Sequence, residues 1–334
     1  MKKTASQSGL VTNLNKSIAQ GDDCMKISTK KMSYEEWKEQ RRKGIGGSDA
    51  AAIIGLNKWK SPIRVYLEKI GEFQNEESNE AMYWGSKMED LIAKEYSDRS
   101  GNYVERRNYI LIHPDHDWMI ANVDRIIYAK DRGPGVLECK NVSEFRKEEW
   151  KDDEVPPEAY CQLQHYLAVT GYDWGVIAAL IGGNKFIYKH FDRDEEFISS
   201  LISLESEFWK RIEERNPPPA DGSDDSSEVL NILYPQAVPE SSINLPYETA
   251  DTIQRLIQLK QSIKELEDEK AEKENRLKEL LGENETGYVE KWRVDWKSYT
   301  STRLDTKALK NSQPNIYQEF SRETESRRFS IREV

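Results

Sequence analysis

Cysteine is nearly absent from the 334 residues. Cys24, Cys139 and Cys161 are the whole complement, with no C-x-x-C among them. That excludes a disulfide-stapled fold and suits a reducing compartment. Histidine is almost as scarce, at four, and no His/Cys spacing matches a zinc site. Long apolar runs are missing too. VIAALI at 176–181 falls far short of a membrane span, and the first twenty residues hold no signal-type apolar stretch. The expectation is a cytoplasmic protein with no membrane partner. Positive charge is also in deficit, 49 Lys and Arg against 60 Asp and Glu, for a net charge of −11. That argues against attraction to nucleic acid over the whole surface. Between Arg41 and Lys69, however, Arg41, Arg42, Lys43, Lys58, Lys60, Arg64 and Lys69 outnumber Asp49 and Glu68. A local basic patch, or a solvated helical face, is expected there.

Apolar residues make up 37% of the chain, enough for a sizeable core. Residues 1–32 are polar and aperiodic, and disorder is expected over them. SYEEWKEQRRK opens on Ser33 with Glu36 three residues later, a capping-box helix start. SDAAAIIG predicts a short helix capped by Ser48. SPIRVYLEKIG predicts another, with Ser61 as cap, Pro62 in the first turn and Gly71 at the stop. A longer helix follows over about 80–100. YVERRNYILI, WMIANVDRIIYA and GVLECKN then read as three successive strands. PPEAYCQLQHYLAVTG is helical in period, WGVIAALIGG and KFIYKHF are a strand pair, and DEEFISSLISLESEFWKRIEER is an amphipathic helix. The order predicts an α/β protein with a central mixed sheet flanked by helices. Residues 216–246 begin Pro-rich and acidic and read as a linker. Residues 247–334 read as an accessory region: a long charged helix, a strand or hairpin over GYVEKWRVDWKSYTSTRL and a closing strand over RRFSIREV. Leu256, Leu259, Ile263, Leu266, Leu277 and Leu280 fall on an a/d heptad frame, interrupted by Lys270 and Lys273.

In GVLECKN, Glu138 and Lys140 are two apart and so share one strand face, while Leu137 and Cys139 share the other. Charges on a core strand need compensation. Asp124 lies in the preceding apolar strand, and Glu89 on the helix before it. If those strands are neighbours, three carboxylates approach one another, and each pKa rises unless a cation lies between them. Hard oxygen donors suit Mg²⁺ or Mn²⁺. A lysine beside such a centre can position water for in-line attack on a phosphodiester. Taken singly, each residue has a plainer reading: Glu89 as a solvated acid, Gln162 as a surface amide, Ser48 as a cap only. Trp59, Trp84, Trp118 and Trp174 read as core, with Trp59 alternatively a stacking surface beside Lys58 and Lys60.

GIGGSDAAAIIGLNKWKSPIRVYLEKIGE, YWGSKMEDLIAKEY, ANVDRII, LECKN and YCQLQHYLAVTGYDWGVIAAL stand in the order seen in YqaJ-type phage recombination nucleases. Over about residues 34–214 the chain resembles that family, which is similar to lambda exonuclease and lies in the PD-(D/E)XK superfamily. The resemblance implies a restriction-endonuclease-like core over 33–215. It implies a two-metal 5′→3′ double-strand DNA exonuclease that leaves 3′ single strands. Mg²⁺ would be the cofactor, with Mn²⁺ able to substitute. Asp124 and Glu138, helped by the backbone carbonyl of Cys139 and by Glu89, would hold metal. Lys140 would be the catalytic lysine and Gln162 the active-site glutamine, with Gln164 nearby. Arg41 and Ser48 match positions that hold DNA phosphates, and Lys58 and Trp59 would touch DNA. Arg125 stands where the family often has glycine. Double-stranded DNA ends, a RecT-like annealing protein and a homo-oligomer, in the form of a trimeric ring, are the implied partners, in a bacterial host of a phage or prophage. Two other functions share the residues: an endonuclease or nickase of the same superfamily, and a non-catalytic scaffold that binds DNA ends and loads a recombinase.

Overall fold

Ser33 starts the first helix as its spacing to Glu36 predicts. In the computed structural model, which describes residues 24–73, 80–323 and 325–333, α1 spans Tyr34–Arg42. The Ser33 hydroxyl accepts from the Glu36 N–H at 3.2 Å, and the Glu36 carboxylate accepts from the Ser33 N–H at 2.7 Å. The second helix, α2 (Gly47–Ile53), departs from expectation, because its cap is Gly46 rather than Ser48. The Asp49 carboxylate reaches back to the Gly46 N–H at 3.2 Å and draws the helix start forward. The third, α3 (Pro62–Ile70), has the expected Ser61 cap, and Gly71 ends it at φ 80°, where a side chain would be strained.

The chain divides into two compact units, Met1–Ile232 and Leu233–Val334. The first is built on a five-stranded sheet ordered β2-β5-β6-β7-β8: Tyr103–Arg106, Arg125–Ala129, Gly133–Val142, Trp174–Ile181 and Lys185–Asp192. All pairings are antiparallel except β6 with β7. That parallel pair needs a crossover, supplied by a 3₁₀ turn (Glu144–Trp150) and helix α5 (Pro157–Thr170); helix α4 is Glu80–Ser100. Alternation along the strands separates two cores. Ile127, Leu137, Val176 and Ala178 pack on Ile92, Ala93 and Tyr96 of α4. Ile126, Val136, Ile177 and Ala179 pack on Leu163, Tyr166 and Leu167 of α5. Burying each large aliphatic side chain stabilises by about 1.5–3 kcal/mol. The expected α/β class, with a central mixed sheet between helices, is what forms. Helix α6 (Glu195–Glu213) closes the layer.

Two strands expected to be continuous are each broken. YVERRNYILI yields β2 and then β3 (Tyr109–Ile112), and WMIANVDRIIYA yields β4 (Ile120–Ala121) and then β5. β3 and β4 belong to a second sheet ordered β1-β3-β4, whose β1 is Met25–Ser28. Residues 25–28 are therefore strand rather than disordered, paired to β3 from Met25↔Ile112 to Ser28↔Tyr109. The rest of the expected disordered segment, 1–23, lies outside the described residues. The polar breaks at Arg107–Asn108 and Asn122–Asp124 are where the chain changes sheets, and Asp124 sits at that corner.

The expected linker over 216–246 contains helix α7 (Asp224–Leu233). Asp225 is buried, accepts from the Ser61 hydroxyl at 2.6 Å and N–H at 2.7 Å, and pairs with the buried Arg64 guanidinium. The first unit thus extends past the Pro-rich stretch. In the second unit, α8 (Thr249–Leu281) is the expected long helix, and of the two readings of the following stretch, strand or hairpin, the hairpin forms, β9 (Thr286–Val289) with β10 (Trp292–Asp295). Two short helices follow, α9 (Thr306–Ser312) and α10 (Pro314–Glu319). The expected closing strand is absent: 325–333 carry no strand among the described residues.

Candidate active site

Glu138 and Lys140 project from β6 toward α5, the side on which Val136 packs. The β5–β6 register, Arg125↔Leu137, continues one step to set Asp124 opposite Glu138. Asp124 Oδ2 accepts from the Cys139 N–H at 2.8 Å. Glu138 Oε1 accepts from Lys140 Nζ and from Gln162 Nε2, both at 2.8 Å. Gln162 Oε1 accepts from Lys140 Nζ at 2.7 Å, and Gln162 Nε2 also meets the Tyr166 hydroxyl at 3.0 Å. Glu138, Lys140 and Gln162 are therefore one hydrogen-bonded group, with Asp124 held beside it by the Cys139 N–H.

Its electrostatics follow from burial and like charge. Burial, then the Glu138 and Glu89 carboxylates, pushes Asp124 well above the ordinary carboxylate range. Burial likewise raises Glu138, against the moderating pull of Lys140. Burial opposes the Lys140 ammonium, yet the carboxylates of Glu138, Asp124 and Glu158 together outweigh it and the net shift is upward. Burial, with Glu138 and Asp124 beside it, also drives the Tyr166 phenol well up.

Glu89 is not turned freely toward this group. Arg125, 4% exposed, clamps the carboxylates of Glu89 and Asp90. The arginine that replaces a common glycine thus anchors the helical acid to the corner, while the charge of Glu89 still raises both Asp124 and Glu138.

A cleft of about 330 Å³ opens in front of Asp124, Glu89 and Gln162, lined also by Arg41, Ser48, Arg106, Arg107, Asn108 and Asn122. Arg41 Nη2 donates to Ser48 Oγ at 3.1 Å, so the expected pair is brought together. Gln164 is not part of it. Its side chain is fully buried, donating to Asp192 O at 2.9 Å and accepting from the Asp194 N–H at 3.0 Å, which fixes the corner after β8. Lys58 and Trp59 do not line the cleft; both are exposed on the α2–α3 loop, Trp59 by 71%. Trp84 is also exposed, while Trp174 is core.

The expected basic patch is largely an internal network. Asp49, 2% exposed, accepts from Lys69 Nζ at 2.6 Å and Lys60 Nζ at 2.9 Å, with Arg41 at 3.6 Å. Burial opposes its charge, but the three cations hold Asp49 well below its usual range. Arg106, Arg107 and Asn108 escaped the sequence reading. Their signal was the polar interruption inside YVERRNYILI. Tyr166, four residues after Gln162 on the same helix face, was masked by its apolar neighbours.

Among the described residues, no three His, Cys, Asp or Glu side chains form a complete metal cage. The donors nonetheless fit a hard cation that takes one or two carboxylates and fills its remaining positions with water and phosphate. Glu138 Oε2 is buried and accepts no hydrogen bond, a cost that a cation would remove. Asp124 has one donor for a carboxylate set among like charges.

Paired carboxylates with a lysine thus stand at the corner of a mixed sheet, facing an arginine-lined cleft, a donor set that fits a hard cation. Residues 36–173 match the YqaJ-like viral recombinase domain. The YqaJ protein of Bacillus subtilis (strain 168) is 41% identical over 307 residues, 91% of this chain and 95% of its own length. The chain belongs to the YqaJ-like viral recombinase family. Among solved structures, LHK-Exo in complex with dAMP aligns at 21% identity and a TM-score of 0.46, over 60% of this chain and 97% of that one. LHK-Exo is an alkaline exonuclease of Laribacter hongkongensis. A phage-related exonuclease from Haemophilus somnus 129PT aligns at 14% identity and a TM-score of 0.41, over 53% and 97%.

Proposed function

We propose that the chain is a divalent-metal-dependent DNA nuclease, acting 5′→3′ on double-stranded ends and leaving 3′ tails for a RecT-like annealing protein. The observation that carries this reading is the Asp124–Glu138–Lys140–Gln162 group, with a buried, unpartnered carboxylate oxygen, beside a cleft lined by arginines. Mg²⁺, two ions per site, with Mn²⁺ as a substitute, would be held by Asp124, Glu138 and the Cys139 carbonyl, with Glu89 alongside. Such ions supply an activated water and neutralise charge on the phosphoryl oxygens.

The chain's own residues do the rest. Lys140 holds an ammonium at the carboxylate and can stabilise developing negative charge or hand on a proton. Gln162 fixes Lys140 and Glu138 relative to each other, with Tyr166 behind it. Arg41 and Ser48 present donors to a strand phosphate, and Arg106 and Arg107, which line the same cleft, add positive charge. Lys58 and the Trp59 ring serve outer contacts with backbone and bases. A ring of three copies around the duplex would make digestion processive.

The test compares end-labelled linear duplex with closed circular duplex, each in Mg²⁺ with and without chelator. Mononucleotides from linear DNA only, abolished by chelator, are expected. Cut circles would mean an endonuclease, and no product from either substrate would mean a scaffold. Lys140→Ala should lower turnover at least about a hundredfold while DNA affinity changes little; undiminished turnover would overturn the assignment.

A further inference from the structure

α8 is about 50 Å long at 1.5 Å per residue. Of its residues only Leu281 is buried, while Leu259, Ile263, Leu266, Leu277 and Leu280 are 41–77% exposed. These are five of the six apolar a/d positions of the heptad frame, the sixth, Leu256, being half-buried, so among the described residues most of the seam is uncovered. Its charges discriminate between possible occupants. In the same frame Lys260 and Glu274 fall at e, while Arg255 and Glu269 fall at g. A parallel, in-register second copy would set Arg255 against Lys260 and Glu269 against Glu274, like charges in both cases, while its other two pairs, Ser262 with Glu267 and Arg276 with Leu281, offer no opposite charges.

An antiparallel copy centred on Asp268 does the reverse. Lys260 faces Glu274 at both ends, and Leu256 and Leu259 meet Leu280 and Leu277. Glu267 and Glu269 then meet their own copies at the twofold axis. Lys270 and Lys273, which interrupt the apolar seam, lie at that axis and supply the opposing charge while their stems cover Leu266 and Ile263. Two interruptions that weaken a parallel zipper thus have a place in an antiparallel one. Within the chain these groups make only surface contacts: Lys270 with Glu274 at 3.5 Å, and Lys260 at 5.8 Å from the Phe329 ring centroid.

We infer that α8 is a self-association element that pairs with α8 of a second copy of this chain, antiparallel and centred on Asp268. The inference does not depend on the nuclease reading, because no hydrolysis is measured. A twofold pair joins assemblies two at a time, which for rings of three means two rings, so in light scattering on the full chain Leu259→Asp with Leu277→Asp should halve the particle mass. Both side chains are exposed within the chain, so the variant folds, and unchanged circular dichroism checks this. Lys260→Glu should weaken association at least about threefold, and Lys260→Glu with Glu274→Lys should restore it. Orientation is read by oxidising a mixture of Lys260→Cys and Glu274→Cys chains and mapping peptides, which separates the new link from Cys24, Cys139 and Cys161. An interchain 260–274 disulfide is expected. A particle mass unaffected by the double aspartate, or a Leu266→Cys chain that links efficiently to itself while 260 and 274 do not link, would overturn the inference.

Discussion

Asp124 is the side chain at which burial and chemistry conflict most openly. Its folded pKa lies well above the ordinary carboxylate value, first through burial and then through Glu138 and Glu89. A carboxyl raised in this way favours folding most when protonated, and that contribution is lost as pH rises from the ordinary range through the raised value. At neutral pH the metal-free protein therefore carries a cost at this position. Asp124→Asn keeps an acceptor for the Cys139 N–H and removes the charge. It should raise the melting temperature of chelated protein by roughly 2–4 °C, for about 1 kcal/mol, and abolish hydrolysis. Scanning calorimetry in chelator would show the gain, and a loss of stability would contradict the assigned electrostatics. On the proposed reading Mg²⁺ should raise the melting temperature of the parent and leave that of this variant nearly unchanged.

At the scale of elements, the fit between α2 and α5 positions the site. A Cβ on Gly47 would come within 2.6 Å of Tyr166 Cε1 and 3.0 Å of Gln162 Cγ. The G-I-G-G run thus lets α2 lie against the helix that carries Gln162. Gly47→Ala should cost roughly ten- to a hundredfold in turnover by moving Gln162, with a smaller change in DNA affinity. Gly85→Ala, whose Cβ meets nothing within 4 Å, is the matched control and should leave turnover unchanged. Helix α7 makes a second element-scale prediction. A chain ending at residue 220 removes Asp225 and strands the buried Arg64 guanidinium. It should be less stable than one ending at 232 by about 3–5 kcal/mol, read by urea unfolding. Equal stability would mean that α7 is not part of the core.

For the whole molecule, the Asp49 network sets the response to acid. Asp49 has a lowered folded pKa, because Lys60, Lys69 and Arg41 outweigh its burial. Its contribution is present above the ordinary Asp value and is lost as pH falls through the lower folded value. The first unit should therefore lose stability below about pH 4, the reference value for an unfolded Asp. Asp49→Asn should flatten that part of the profile. At neutral pH the same change should cost about 3–5 kcal/mol, since it leaves buried cations uncompensated. Thermal melts from pH 3 to 7 would show both effects. An acid limb of the same slope in the variant would remove Asp49 from this role. The network also fixes Arg41, which reaches the cleft that Arg106 and Arg107 line as well, so a chain of net charge −11 still presents local positive charge there.

Local signals determined a good deal alone. The capping box at Ser33–Glu36, the Ser61–Pro62 start, the Gly71 stop and the period-2 placing of Glu138 with Lys140 all depend on residues within one or two turns of each other. They came out in the structure as read. What depended on distant partners did not. The sheet change at Asp124, the burial of Gln164 against the β8–α6 corner, the diversion of Glu89 to Arg125 and the strand at 25–28 are set by contacts between segments far apart in the chain. Charge followed the same division. Composition counted the cations between 41 and 69, but only packing decided that Asp49 and Asp225 would hold several of them inside. Helix and turn signals are short-range steric and hydrogen-bond preferences, whereas the energy of a buried charge depends on which groups tertiary folding places around it.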